Sequence, residues 1–246
     1  MPRSYHSMKL QDPHYDNILS GRKIYETRVN DPKRQAMKVG DIINITHDSD
    51  KTREGYSIVI TDRQEYKTFR KAITTVGISK VLPGVKTDNE GIKIYESFPH
   101  KEGTYKEGAK KYGVVRFGLT VNVNPLEYEL GILNPKDCPC FDLIKSGKKT
   151  VEGRKNAPKY QVYKPGDLLT FVCGKEKLET VITQIKKYKT VEDYLRKETL
   201  KKALPCVKTV QEGVEMYNRW TKESERNALQ KKYGYGFLGI HVKLVK

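Results

Sequence analysis

Two stretches of this 246-residue chain repeat one spacing of residue types that can hold a ligand by charge and hydrogen bonding. The first is Gly21, Lys23, Glu26 and Arg28; the second is Gly147, Lys149, Glu152 and Arg154. On an extended strand, residues two apart share a face, so Glu26 lies beside Arg28 and Glu152 beside Arg154, with each lysine on the other face unless a turn intervenes. A carboxylate next to a guanidinium forms a local ion pair and leaves N–H donors in a planar fork, which suits a base edge or a phosphate. The same pair can also simply brace the rim of a sheet, and its duplication does not decide between the two, because structure and function duplicate alike.

A second signal is basic residues interleaved with tyrosine, as in Lys110-Lys111-Tyr112, Lys231-Lys232-Tyr233, Lys186-Lys187-Tyr188 and Lys159-Tyr160. Ammonium groups meet phosphates and rings stack on exposed bases, so Lys33, Lys111, Tyr112, Lys159, Lys232 and Tyr233 join the two motifs as candidate nucleic-acid contacts. Trp220, the single tryptophan, is read as helix packing. Cys138 and Cys140 are close in sequence, while Cys173, Cys206 and five scattered histidines offer no matching metal-ligand spacing. No metal and no cofactor is expected, and the cysteine usage fits a reducing compartment.

The elements that position these residues emerge from a repeat. Residues 15–45 and 141–171 align without a gap at an offset of 126, and 14 of the 31 positions are identical. The match resumes at an offset of 122, where Leu82-Pro83 meets Leu204-Pro205, and ends at 121, where Lys110-Lys111-Tyr112-Gly113 meets Lys231-Lys232-Tyr233-Gly234. Two copies of one domain, 1–124 and 125–246, are therefore expected. In each copy a short extended piece and a helical turn (Tyr15 to Ser20; Phe141 to Ser146) end at a glycine suited to a left-handed residue. Strands follow, and the last is the clearest. Val115, Phe117, Leu119, Val121 and Val123 alternate onto one face, as do Leu238, Ile240, Val242 and Leu244, which reads as a half-buried strand. Thr190 starts a helix that runs towards Pro205, and a second helix is expected around Val210 to Leu229. Short strands mixed with a few helices, without βαβ regularity, indicate an α+β domain on a small closed or nearly closed sheet.

Lys and Arg number 47 against 30 Asp and Glu, a formal charge of +17, with 37% hydrophobic residues. The charge divides as 22 − 15 = +7 for residues 1–125 and 25 − 15 = +10 for 126–246. A core can form, the surface must be cationic, and both copies carry the excess. No run approaches the length of a membrane span and no apolar signal segment opens the chain, so an intracellular protein, cytoplasmic or nuclear, is expected.

The order of helix, Gly-x-Lys-x-x-Glu-x-Arg, proline-containing loop, Gly-Asp opening a strand, and a terminal strand after Tyr-Gly resembles the ASCH domain, a relative of the PUA domain. The resemblance covers nearly the whole chain, and SGKKTVEGR in the second copy matches more closely than SGRKIYETR in the first. It implies two PUA-like β-barrels in tandem with flanking helices, each with a motif-lined cleft, and binding of RNA or other nucleic acid; RNA is expected in preference to DNA, and the protein is expected to be a monomer. Lys23, Glu26, Arg28, Lys149, Glu152 and Arg154 would line the clefts. Some similar domains are enzymes, among them an N4-acetylcytidine amidohydrolase that pairs this lysine with a threonine three residues on. Here Glu26 and Glu152 stand at that position and Thr150 is out of register, which counts against amidase chemistry. A ribonuclease, a nucleoside hydrolase and a protein-interaction module remain the alternatives.

Overall fold

In a computed structural model, residues 3–122 and 124–245 are described; Val123, read above as the end of a strand, lies outside them. The chain divides into two compact units between Asn124 and Pro125.

The first unit runs β1 (Tyr5–Leu10), α1 (His14–Leu19), β2 (Tyr25–Val29), α2 (Pro32–Gln35), β3 (Ile42–His47) and β4 (Tyr56–Tyr66). Then come α3 (Phe69–Thr74), α4 (Asp88–Ser97), the two-residue strands β5 (Pro99–His100) and β6 (Gly103–Thr104), α5 (Tyr105–Tyr112) and β7 (Val114–Val121). The second unit runs β8 (Glu127–Gly131), α6 (Cys140–Lys145), β9 (Val151–Lys155), α7 (Pro158–Gln161), β10 (Leu168–Cys173) and β11 (Glu176–Tyr188). It continues with α8 (Val191–Glu198), α9 (Leu200–Ala203), α10 (Val210–Trp220), α11 (Glu223–Tyr233) and β12 (Phe237–Leu244).

Each unit is α+β, with one curled five-stranded half-barrel sheet, and the two sheets share a topology: β1-β3-β4-β7-β2 and β8-β10-β11-β12-β9. The first pair in each is parallel and the others are antiparallel. A shift of register recurs at the same place, between Ile60 and Asp62 and between Ile182 and Gln184. Such bulges sharpen the local bend of a strand. The edge strands come near enough for one side chain to bridge them. Arg28 on β2 reaches the Met8 sulfur on β1, and Arg154 on β9 reaches the Gly131 carbonyl on β8.

The last strand of each unit is more deeply covered than alternation alone implies. Val114, Val115, Arg116 and Phe117 are all buried, because helices cover the second face. Arg116 survives there by donating to the Ala72 carbonyl (3.0 Å) and lying over the rings of Tyr25 and Tyr66. Thr190 does cap α8, accepting from the Asp193 amide. The single helix expected from Val210 to Leu229 is instead two, because Thr221 takes an extended conformation (φ −155°, ψ 131°) and its carbonyl accepts from Arg226. In the first unit, β5 and β6 break the corresponding stretch at Pro99. Cys138 is bonded to Cys206 across 68 residues, a pairing the short Cys138–Cys140 spacing did not suggest and one that runs against the reducing compartment read from the cysteine usage. Cys140 and Cys173 are free thiols. Among the described residues no helix is long and apolar enough to cross a membrane.

Candidate functional site

The positioning of the motif begins at a helix end. Gly21 (φ 72°) and Gly147 (φ 74°) follow α1 and α6 in the left-handed region, where a side chain would be strained. The Lys23 amide then donates back to the Asn17 carbonyl (2.7 Å), and that of Lys149 to Leu143 (2.9 Å). This turn brings each lysine to the same side as the glutamate three residues on.

Lys23 is 2% exposed and Lys149 is 1% exposed, so their ammonium groups are inside the protein. Lys23 Nζ lies 3.2 Å from Glu26 Oε2 and donates to the Val81 carbonyl (2.6 Å) and to Tyr95 Oη (3.2 Å). Lys149 Nζ lies 3.3 Å from Glu152 Oε2 and donates to the carbonyls of Val151 (2.9 Å) and Ala203. Three hydrogens therefore meet three partners in both units. Burial alone would lower these lysines, but the adjacent carboxylate outweighs it and raises both above the ordinary lysine value. Neither is a free nucleophile or base. The sequence offered them as ligand contacts; the structure makes them clamps for the glutamates.

The other glutamate oxygen faces the arginine, with Arg28 Nε 2.8 Å from Glu26 Oε1 and Arg154 Nη2 3.0 Å from Glu152 Oε1. Burial works against ionised Glu26, but Arg28 and then Lys23 overcome it and hold the carboxyl below its usual range. Two cations and one anion leave a net positive charge on each triad.

A cleft opens over each triad. In the first unit it measures about 360 Å³ and includes His14, Tyr95, Phe98 and Tyr105 beside the motif residues. In the second it measures about 390 Å³ and includes Cys140, Tyr160, Tyr217, Arg219 and Trp220. At the offset of 126 His14 corresponds to Cys140, and at the offset of 122 Tyr95 corresponds to Tyr217. His14 Nδ1 is buried without a partner, and burial followed by the Lys23 charge lowers its pKa, so the ring is neutral near pH 7. Burial pushes the Cys140 thiol up to about 11 and the Tyr217 hydroxyl up to about 12, so both stay protonated.

The other candidates stand apart from the cleft floors. Lys33 is exposed on α2. Lys111 and Tyr112 both engage Glu102, at 2.9 and 3.1 Å. Lys159 lies over the ring of Tyr160, itself a cleft residue, and Lys232 over that of Tyr233. Basic–aromatic runs thus satisfy themselves locally. Trp220 departs from its reading as helix packing: it is 38% exposed and lines the second cleft. Among the described residues no cluster of three or more His, Cys, Asp or Glu side chains could hold a metal.

The ASCH domain matches residues 8–121 and again 138–240. The chain belongs to the ASCH family. Both ASCH regions contain one complete triad, and the family, PUA-like in fold, is generally associated with RNA binding. Two solved structures are similar to this chain. One is the crystal structure of a hypothetical protein, 33% identical, with a TM-score of 0.41 over 48% of this chain and 100% of that one. The other is a solution NMR structure from Pyrococcus furiosus, 33% identical, with a TM-score of 0.37 over 48% of this chain and 96% of that one. No curated protein matches.

Proposed function

We propose that this tandem ASCH protein binds RNA, with one unpaired nucleotide entering a cleft and the surrounding lysines holding the backbone. The observation that carries this is the buried Lys–Glu–Arg triad with net positive charge, found beneath an aromatic-walled cleft in both units. Lys23 and Lys149 fix Glu26 and Glu152, these fix Arg28 and Arg154, and the arginines face the cleft. Single strands suit such clefts, since their bases can be splayed out and stacked on rings. Lys33, Lys111, Lys159 and Lys232 serve as peripheral phosphate contacts, with Tyr112 and Tyr233 beside them. The reading takes each ASCH unit, 1–124 and 125–246, as a domain, in an intracellular monomer.

The hydrolase alternative is weaker because the lysine it requires is protonated and fully engaged in both units. Fluorescence anisotropy with labelled single-stranded RNA and DNA of one sequence tests the proposal. RNA should bind more tightly, with log affinity falling linearly in log salt concentration. No affinity at low salt, or one indifferent to salt, contradicts it.

A further inference from the structure

The two clefts share a triad but differ at the mouth. In the first, Phe98 follows α4 and is half-buried in a cluster of rings, edge-on to Tyr95 and Tyr105 at 5.6 Å each and to His14 at 6.4 Å. At the offset of 122 its counterpart is Trp220, the last residue of α10. Two of the three enclosing rings are missing there. Cys140 stands in place of His14, and Arg226, in place of Tyr105 at the offset of 121, turns to the Thr221 carbonyl and to Asn218. Tyr217 remains, edge-on at 5.3 Å, and is the one ring contact of the indole among the described residues. Trp220 is left 38% exposed on the cleft wall. The neighbouring strand differs in the same direction. Parallel pairing sets Tyr5 beside Ile42 and Glu127 beside Leu168, so β8 stands at an offset of 122 from β1, and Leu133 just beyond it corresponds to Gln11. Leu133, 68% exposed, lines the second cleft, whereas Lys9 and Gln11 line the first. Arg219, beside Trp220, is held by an exposed pair with Asp137 at 3.3 Å, a contact easily exchanged for a phosphate.

We infer that the two clefts divide the work, and that only the second takes a base: an unpaired nucleobase stacks on Trp220, with Leu133 at the same mouth and the phosphate on Arg219. The first cleft, where the equivalent ring is already covered by the protein's own aromatics, holds sugar–phosphate backbone alone. An open indole at the mouth of a cationic cleft offers apolar area that a phosphate cannot cover and the flat face of a base can. Every base has such a face, so the site tolerates any sequence. The two fused rings of a purine cover more of the indole than the single ring of a pyrimidine, which favours adenine and guanine alike. This inference deepens the RNA-binding proposal and rests on it.

Trp220 is the only tryptophan, so the emission of the full-length protein reports on the second cleft alone. Titration with single-stranded RNA should quench it saturably, whereas an abasic ribose-phosphate strand of equal length and charge should bind more weakly and leave the emission unchanged. AMP and GMP should quench at similar concentrations, lower than those UMP and CMP require, with free tryptophan as the control for absorbance. By anisotropy, Trp220→Leu should weaken RNA binding about tenfold, the loss of one stacked base, and Trp220→Phe should restore most of it. Phe98→Leu, the matched change in the first unit, should leave affinity unchanged. The inference is overturned if RNA binds in a salt-dependent manner without changing the emission, if the abasic strand quenches equally, or if UMP matches AMP. It is also overturned if folded Trp220→Leu protein keeps wild-type affinity, or if Phe98→Leu costs as much as Trp220→Leu. Quenching by AMP without RNA binding would remove the wider proposal and leave the stacking site standing; quenching by neither would remove both.

Discussion

Glu26 and Glu152 each hold two cations in place. Replacing Glu26 by glutamine leaves Lys23 buried beside Arg28 with no counter-charge, and removal of one partner from a buried pair costs about 3–5 kcal/mol. Urea denaturation should show that loss in Glu26→Gln, whereas substituting an exposed residue such as Lys71 should change stability by less than about 0.5 kcal/mol. The same residue makes stability pH-dependent. The Glu26 carboxyl is held below its ordinary value of about 4.3, so its contribution is complete above the unfolded pKa and is lost as pH falls through the lower folded one. Lys23 is raised, so its contribution is complete below the ordinary lysine value and is lost as pH rises through the folded one. Denaturation midpoints should therefore fall below about pH 4, and Glu26→Gln should flatten the acid limb.

Strand β9 can carry the second triad only because residue 153 is glycine. A Cβ there would lie 2.3 Å from Tyr217 Oη and 2.9 Å from ring carbons of Phe237 and Tyr194. Gly153→Thr, which copies Thr27 of the first unit, should cost about 1–3 kcal/mol by overpacking and should displace Tyr217 from the cleft, as its near-ultraviolet dichroism would report. The Cys138–Cys206 bond ties the loop before α6 to the loop after α9, whose Ala203 carbonyl receives Lys149. Its reduction should lower the stability of the second unit by about 2–4 kcal/mol without affecting the first, seen as one of two thermal transitions shifting with dithiothreitol. These features mark where legibility in the sequence ended. The Gly, Lys, Glu and Arg of each triad lie within eight residues of chain on one turn and strand, so their spacing reveals their meeting. Tyr95, Tyr217 and Trp220 arrive from helices some 65 to 70 residues later, and only the packing of those helices on the sheet brings them over the motif. The register change between the two lysines' expected and observed faces had a local cause, the turn after Gly21 and Gly147, which the sequence did show.

The molecule is one ASCH design used twice, with the +7 and +10 charges on two separate units. Because the excess belongs to both, its effect on binding should be distributed: each phosphate neutralised on a single strand adds about 0.7 to the magnitude of the salt slope. Residues 125–246 alone should unfold cooperatively, since their core is formed entirely within the unit. The repeat and the charge were legible as whole-chain properties, but the difference between the clefts was not. It depends on Tyr105 reaching Arg28 while Arg226 turns away from Arg154, two outcomes at positions the alignment makes equivalent. The central claim is that the clefts, rather than surface charge alone, take the RNA. The most direct test is single-stranded RNA binding by anisotropy at fixed low salt, comparing wild type with the Arg28→Ala/Arg154→Ala double variant and with Lys71→Ala. The double variant should bind at least about tenfold more weakly while Lys71→Ala changes little, since stacking and arginine contacts are each worth about 1–3 kcal/mol. A folded double variant that retains wild-type affinity would contradict the account.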